Sequence, residues 1–146
     1  MPARDIFHNA VKKGLQKEGW KITHDPLPVS FELGDMYIDL GAERILAAER
    51  EGEKIAVEIK SFFKTSAISE FHTALGQFIN YRLALSEQEP DRTLYLAVPI
   101  DTYTSFFTIR LVQNTKVLNV KKNPIKTAQN MLDFGRKIKV YLFDSD

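Results

Sequence analysis

Three residues of this sequence have the types and spacing for metal-assisted phosphodiester chemistry: Asp39, Glu58 and Lys60. Glu58 and Lys60 belong to the segment KIAVEIK (54–60), whose pattern reads as a strand. Successive side chains of a strand point to opposite faces. Ile55, Val57 and Ile59 therefore point to the core, while Lys54, Ala56, Glu58 and Lys60 share the other face. A lone charge in so apolar a strand is costly and is normally paired or bound to a ligand. Asp39 falls just before the adjoining strand. An acid, a second acid nineteen positions later and a lysine two further on is the spacing of a metal-dependent phosphodiesterase site. Two carboxylates offer hard oxygen ligands to Mg²⁺ or Mn²⁺. Such a cation polarises the phosphoryl oxygen and acidifies water, and the lysine ammonium orients the attacking water or offsets developing charge. Taken alone, the same three residues also fit a Glu58–Lys60 salt bridge on an edge strand.

The elements that must position these groups are readable in part. Ile45 to Arg50, a Glu51-Gly52 turn and Lys54 to Phe62 suggest a hairpin with Asp39 just before its first arm. Ser66 to Glu89 predicts a long amphipathic helix, with Ser66 as N-cap, Ile68, Phe71, Leu75, Phe78, Ile79 and Leu83 at helical spacing, and Pro90 as its stop. Glu70, Gln77 and Tyr81 share a stripe beside that apolar face, which sets Gln77 and Tyr81 over Glu58 and Lys60 as donors and acceptors for a phosphate or for the lysine. An ordinary polar border is the other reading of this stripe. Arg82 falls within the apolar face, where its stem packs and its head reaches out.

Around this centre, a first helix carries Ile6, Phe7, Ala10, Val11, Gly14 and Leu15 on one face, with Pro2 at its start and Gly19 after its end. Trp20 to His24 reads as a short strand stopped by Asp25-Pro26, and Pro26 to Gly34 as a loop or irregular edge. RTLYLAVP (92–99) is an apolar run fit for a sheet buried on both faces. Asp101 is placed to cap a helix running to about Gln113. Ile125 to Phe134 reads as helical and Ile138 to Phe143 as a last strand. Helices alternating with strands predict an α/β sandwich whose central mixed sheet is flanked by helices, as one domain over 1–146.

Composition narrows the function classes. Of 146 residues, 44% are hydrophobic and 27% charged, the mix of a globular protein, and the absence of cysteine excludes disulfides and thiolate zinc sites. No signal peptide and no membrane-spanning run is apparent, so a cytoplasmic location is expected. His8, His24 and His72 show no metal-binding spacing, and no P-loop, G-x-S-x-G or G-x-G-x-x-G occurs. The net charge of +1 conceals a division: residues 1–109 carry 12 basic and 16 acidic side chains, whereas residues 110–139 carry eight basic and one acidic. Such a basic segment suits phosphate-backbone contacts beside an acidic catalytic half. It also fits a solvated surface.

The stretches ARDIFHNAV, GWKITHDPL, MYIDLGAER, KIAVEIKSF, AISEFHTALGQFINYR and LYLAVPIDTYTSFF resemble the XisH family, named for the fdxN element excision controlling factor of filamentous cyanobacteria. The resemblance runs from residue 2 to about 113, with a divergent basic segment from about 114. It implies a restriction-endonuclease-like fold of the PD-(D/E)XK superfamily and a role in programmed DNA excision, alongside a site-specific recombinase and an XisI-type companion protein. Carried over, the superfamily pattern falls on Asp39, Glu58 and Lys60, with Gln77 and Tyr81 on the supporting helix, and Ile38 stands where that motif has its proline. Two functions are therefore expected to compete. One is a Mg²⁺- or Mn²⁺-dependent DNA endonuclease, with a homodimer serving to reach both strands. The other is a non-catalytic DNA- or protein-binding accessory that regulates a recombinase.

Overall fold

The structure is a computed structural model that describes residues 6–32, 34–44, 52–62, 67–102 and 139–143. Helix α1 (His8–Lys17) buries Val11 and Leu15 completely. Gly19, at φ +91°, ends it. The Gly19 N–H donates to the Gln16 carbonyl and the Trp20 N–H to the Leu15 carbonyl, the pairing of a Schellman cap, and Trp20 packs in one cluster with Leu15. Only a residue free to adopt positive φ closes the helix this way. Ile6, expected on the apolar face, is 72% exposed and lies before the first helical residue.

The chain then forms β1 (Lys21–His24), β2 (Leu27–Phe31), β3 (Gly34–Ile38), β4 (Leu40–Arg44) and β5 (Glu53–Ile59). After α2 (Ala67–Gln88) come β6 (Arg92–Pro99), the short α3 (Ile100–Thr102) and β7 (Lys139–Phe143). The main sheet runs in the order β1-β4-β5-β6-β7. Strand β4 is antiparallel to β1 and β5, while β6 is parallel to β5 and β7, so the sheet is mixed.

Each face of this sheet has its own core. On one side Val11 and Leu15 of α1, with Trp20 just beyond it, pack against Leu40, Ala42, Ile55, Val57, Ile59, Tyr95 and Ala97, and Phe7 meets Phe143 edge-on. On the other, α2 packs Phe71, Ala74, Phe78, Tyr81 and Leu85 against Ala56, Leu94, Leu96 and Val98. The expected alternation of β5 therefore holds, but both of its faces are covered. Ala56 and Glu58 are buried, like Ile55 and Val57.

Several expectations need correction. Pro26 to Gly34 is not a loop: Leu27–Phe31 pairs with Gly34–Ile38 as a separate antiparallel hairpin, and Leu27, Val29 and Ile38 join the α2 core. Pro28 is compatible because it shares the outer edge of β2 with Ser30, whose backbone N–H and carbonyl both face the Gln88 side chain instead of β3. The partner of β5 is Leu40–Arg44; the expected arm Ile45 to Arg50 and Glu51 lie outside the described residues. Asp101 sits inside α3 rather than before it. Residues 103–138, with the expected helices to Gln113 and over Ile125 to Phe134 and most of the basic segment, lie outside the described residues as well.

Candidate active site

Asp39 occupies the single-residue bend between β3 and β4, where the chain leaves the small hairpin and enters the main sheet. Leu40 pairs with Val57, so one further step of the same antiparallel register sets Asp39 opposite Glu58. Side-chain bonds lock this register. The Asp39 N–H donates to Glu58 Oε1 at 3.2 Å, and the Ile59 N–H donates to Asp39 Oδ2 at 2.8 Å. Each carboxylate thus has one oxygen tied to backbone of the opposing strand. The carboxyl groups also lie within hydrogen-bonding reach of each other.

Glu58 is 6% exposed. Burial, the neighbouring Asp39 charge and the bond between the two carboxyls push its pKa well above the usual carboxylate range, against a weaker opposing pull from Lys60 and the Asp39 N–H. Glu58 therefore keeps its proton to higher pH than a free carboxyl, and a cation beside it would compete with that proton. Lys60 follows directly on β5, and its N–H bonds the Ala97 carbonyl at the end of β6 at 3.0 Å. Its Nζ lies 3.9 Å from Glu58 Oε2, and its side chain remains a quarter exposed.

Helix α2 closes the site from above. Tyr81 is 7% exposed, and its hydroxyl faces the Glu58 carboxyl. Burial, then the charge and hydrogen bond of Glu58, then the charge of Asp39 all raise its pKa, so Tyr81 remains a protonated donor. Gln77 lies one turn earlier on the same flank, half-buried, and its Oε1 is buried with no donor among the described residues. The structure therefore brings Asp39, Glu58, Lys60 and Tyr81 together and places Gln77 on the helix that covers them. Among the described residues no group of three or more His, Cys, Asp or Glu side chains converges. The pair Asp39 and Glu58 is the carboxylate set.

Two features had no sequence signal. Phe62, two residues beyond Lys60, is buried at φ +56°, in the left-handed region. For a bulky residue that conformation costs about 1–2 kcal/mol, and it turns the chain sharply where it leaves the site. The second feature lies on the α1 side of the fold. Buried His8 contacts Asp25 Oδ1 at 2.7 Å, and Lys12 Nζ donates to Asp25 Oδ2 at 2.8 Å. Burial raises the Asp25 pKa, but the bonds and charges of Lys12 and His8 outweigh it and leave it lowered. This cluster fastens α1 to the β1–β2 corner. His24 and His72 are exposed and lie elsewhere.

A model of the XisH protein family matches residues 1–127, further along the chain than the resemblance read from the sequence. Two solved structures are similar over nearly the whole chain. An XisH family protein from Nostoc punctiforme PCC 73102 is 45% identical with a TM-score of 0.73, covering 96% of this chain and 91% of that one. A fdxN element excision controlling factor protein from Anabaena variabilis is 45% identical with a TM-score of 0.73, covering 97% and 92%. No curated protein matches the chain.

Proposed function

The chain belongs to the XisH family, and from that premise we propose that it is a metal-dependent DNA endonuclease of the PD-(D/E)XK kind that acts in programmed, site-specific DNA excision. The observation that carries the proposal is the reciprocal clamp that holds Asp39 against buried Glu58 with Lys60 alongside. A structural role gives no reason to bury one carboxyl against another, because the pair repels itself and the buried member loses solvation. A divalent cation removes that cost. The donor set fits Mg²⁺ or Mn²⁺: the oxygens are hard, and two carboxylates with solvent and phosphate completing the shell is a usual magnesium arrangement. Asp39 and Glu58 would hold the ion, which when bound would supply Lewis-acid polarisation of the scissile phosphodiester.

The remaining steps belong to the chain's own groups. Lys60, its ammonium 3.9 Å from Glu58 Oε2 and its side chain a quarter exposed, orients the attacking water and offsets charge on the phosphoryl oxygens. Tyr81, kept protonated beside Glu58, is the neighbouring donor that would steady that ligand. The Gln77 amide offers an acceptor to Lys60 or to the water. Helices on both faces of a mixed sheet are read as the restriction-endonuclease-like sandwich. DNA, a site-specific recombinase and an XisI-type companion are the proposed partners.

A second reading keeps this fold as a non-catalytic accessory that binds DNA or protein and regulates a recombinase. In its favour, the Anabaena relative is described as a controlling factor. Incubating purified protein with supercoiled and linear DNA, with and without Mg²⁺ or Mn²⁺, separates the two. Metal-dependent nicking or cutting, removed by chelation and by Glu58→Ala, is expected. DNA binding without strand breakage under any of these conditions leaves the accessory reading.

A further inference from the structure

Among the described residues, helix α2 has a second face that neither the core nor the proposed site uses. Ile79 is 49% and Leu83 60% exposed, one turn apart on the flank opposite Gln77 and Tyr81. His72 and Gly76 extend the stripe toward the N-terminus and Glu87 extends it toward the C-terminus, all of them exposed. The spacing His72, Gly76, Ile79, Leu83 is four, three, four, the spacing of a helix–helix seam. Gly76 is the informative member. A glycine inside a helix costs about 1 kcal/mol relative to alanine, yet nothing lies within 4 Å of where its Cβ would be. No packing within the described residues requires this glycine.

We infer that this face of α2 docks against the same face of a second copy of the chain, antiparallel, about a two-fold axis near Ile79-Asn80. The stripe complements itself in that arrangement. Leu83 of each copy fills the space left by Gly76 of the other, Ile79 lies close to the axis in both, and His72 faces Glu87 across the seam. A parallel arrangement would instead bring Glu87 against Glu87 and leave the Gly76 space facing itself, so charge and shape both favour the antiparallel one. An isologous two-fold contact of this kind is the commonest closed symmetry. One helix pair buries less than the roughly 1,600 Å² of a standard interface, so the dimer is weak and dissociates on dilution. The inference does not depend on the nuclease reading.

Sedimentation and cysteine cross-linking test it on the full chain, which has no native cysteine. Wild-type protein is expected to pass from dimer to monomer across a dilution series, and Leu83→Glu to remain monomeric at every concentration with an unchanged melting temperature. Gly76→Leu, which fills the space, is expected to weaken the dimer at least tenfold. Ile79→Cys, near the axis, should form an intermolecular disulfide on mild oxidation. His72→Cys should not, because fifteen residues separate it from the axis-related position, about 22 Å at a 1.5 Å rise. A monomeric wild type at high concentration, Leu83→Glu dimers, or equal cross-linking at both cysteines would overturn the proposal. So would a wild-type monomer in which Leu83→Glu lowers the melting temperature, the result expected if the chain's own residues cover this face.

Discussion

Glu58 turns the fold into something that responds to pH and to cations. Its pKa is raised well above the ordinary value of 4.5, chiefly by burial and by Asp39. The folded protein therefore binds a proton that the unfolded chain has already released, and stability falls as pH rises from the ordinary carboxylate range through the raised value. Without divalent cations, the melting temperature should be lower at pH 8 than at pH 5.5. Added Mn²⁺ should restore it more strongly at the higher pH, where no proton has to be displaced. Glu58→Gln removes the charge and keeps the volume, so it should melt higher than the metal-free wild type at pH 8 and show no Mn²⁺ binding by calorimetry. A lower melting point for Glu58→Gln at pH 8 would mean that the ionised carboxylate stabilises the fold, against the assignment of Glu58 as a ligand. Asp25 behaves in the opposite sense. Its pKa is lowered by Lys12 and His8 against the effect of burial, so its contribution is present above the ordinary carboxylate range and is lost on acidification.

Among the elements, β6 depends on Arg92, which also ties the chain just beyond α2 to the sheet. The Arg92 side chain is 1% exposed. It donates to the Ile55 carbonyl at 2.9 Å and makes two 3.1 Å bonds to the Glu89 carboxylate, with Glu43 3.7 Å away. Arg92→Ala leaves that carbonyl and Glu89 without their partner, and about 3–5 kcal/mol of stability should be lost in a denaturant titration. Arg44 pairs with Glu53 at 2.8 Å and lies over Trp20, but a third of its side chain is exposed, and Arg44→Ala should cost no more than about 1 kcal/mol. Equal losses would show that burial does not decide the difference. This network also explains why some strands were hidden in the sequence. Strand β4 begins Leu40-Gly41, and the glycine weakens its strand signal beside the more apolar ILAA next to it. A Cβ at Gly41 would lie 3.1 Å from His24 Nδ1 and 3.4 Å from the Arg92 guanidinium, so a larger residue there would have to displace these side chains. Strand β2 was obscured by Pro26 and Pro28, since a proline forbids a central strand but not an outer edge covered by Gln88. In contrast, α2, β6 and β7 are legible to within a residue, because their periodicity is long or their apolar runs are unbroken, whereas β5 ends at Ile59, three residues before the expected Phe62. The pairing of Asp39 with Glu58 was legible as spacing alone; the backbone clamp that enforces it was not.

For the whole molecule, charge is divided between a site built on acidic groups and a basic segment downstream. Among the described residues no helix is long and apolar enough to cross a membrane. If the segment contacts DNA, each phosphate neutralised adds about 0.9 to the slope of log affinity against log salt. Replacing Lys121, Lys122 and Lys126 with alanine should flatten that slope by about 2–3 units; an unchanged slope would make the segment solvated surface or a protein contact. The proposed chemistry is best separated from a scaffold role at Lys60, which acts on the reacting groups and contributes little to holding the cation. Lys60→Ala should keep Mn²⁺ binding and lower DNA cleavage about a hundred- to a thousandfold, as expected for loss of one preorganised electrostatic group. The decisive measurement is the frequency of DNA excision in cells whose only copy is Lys60→Ala, with the purified variant melting near wild type. The nuclease account predicts that excision is lost. Normal excision from that stable protein would contradict it and leave the fold as a binding platform.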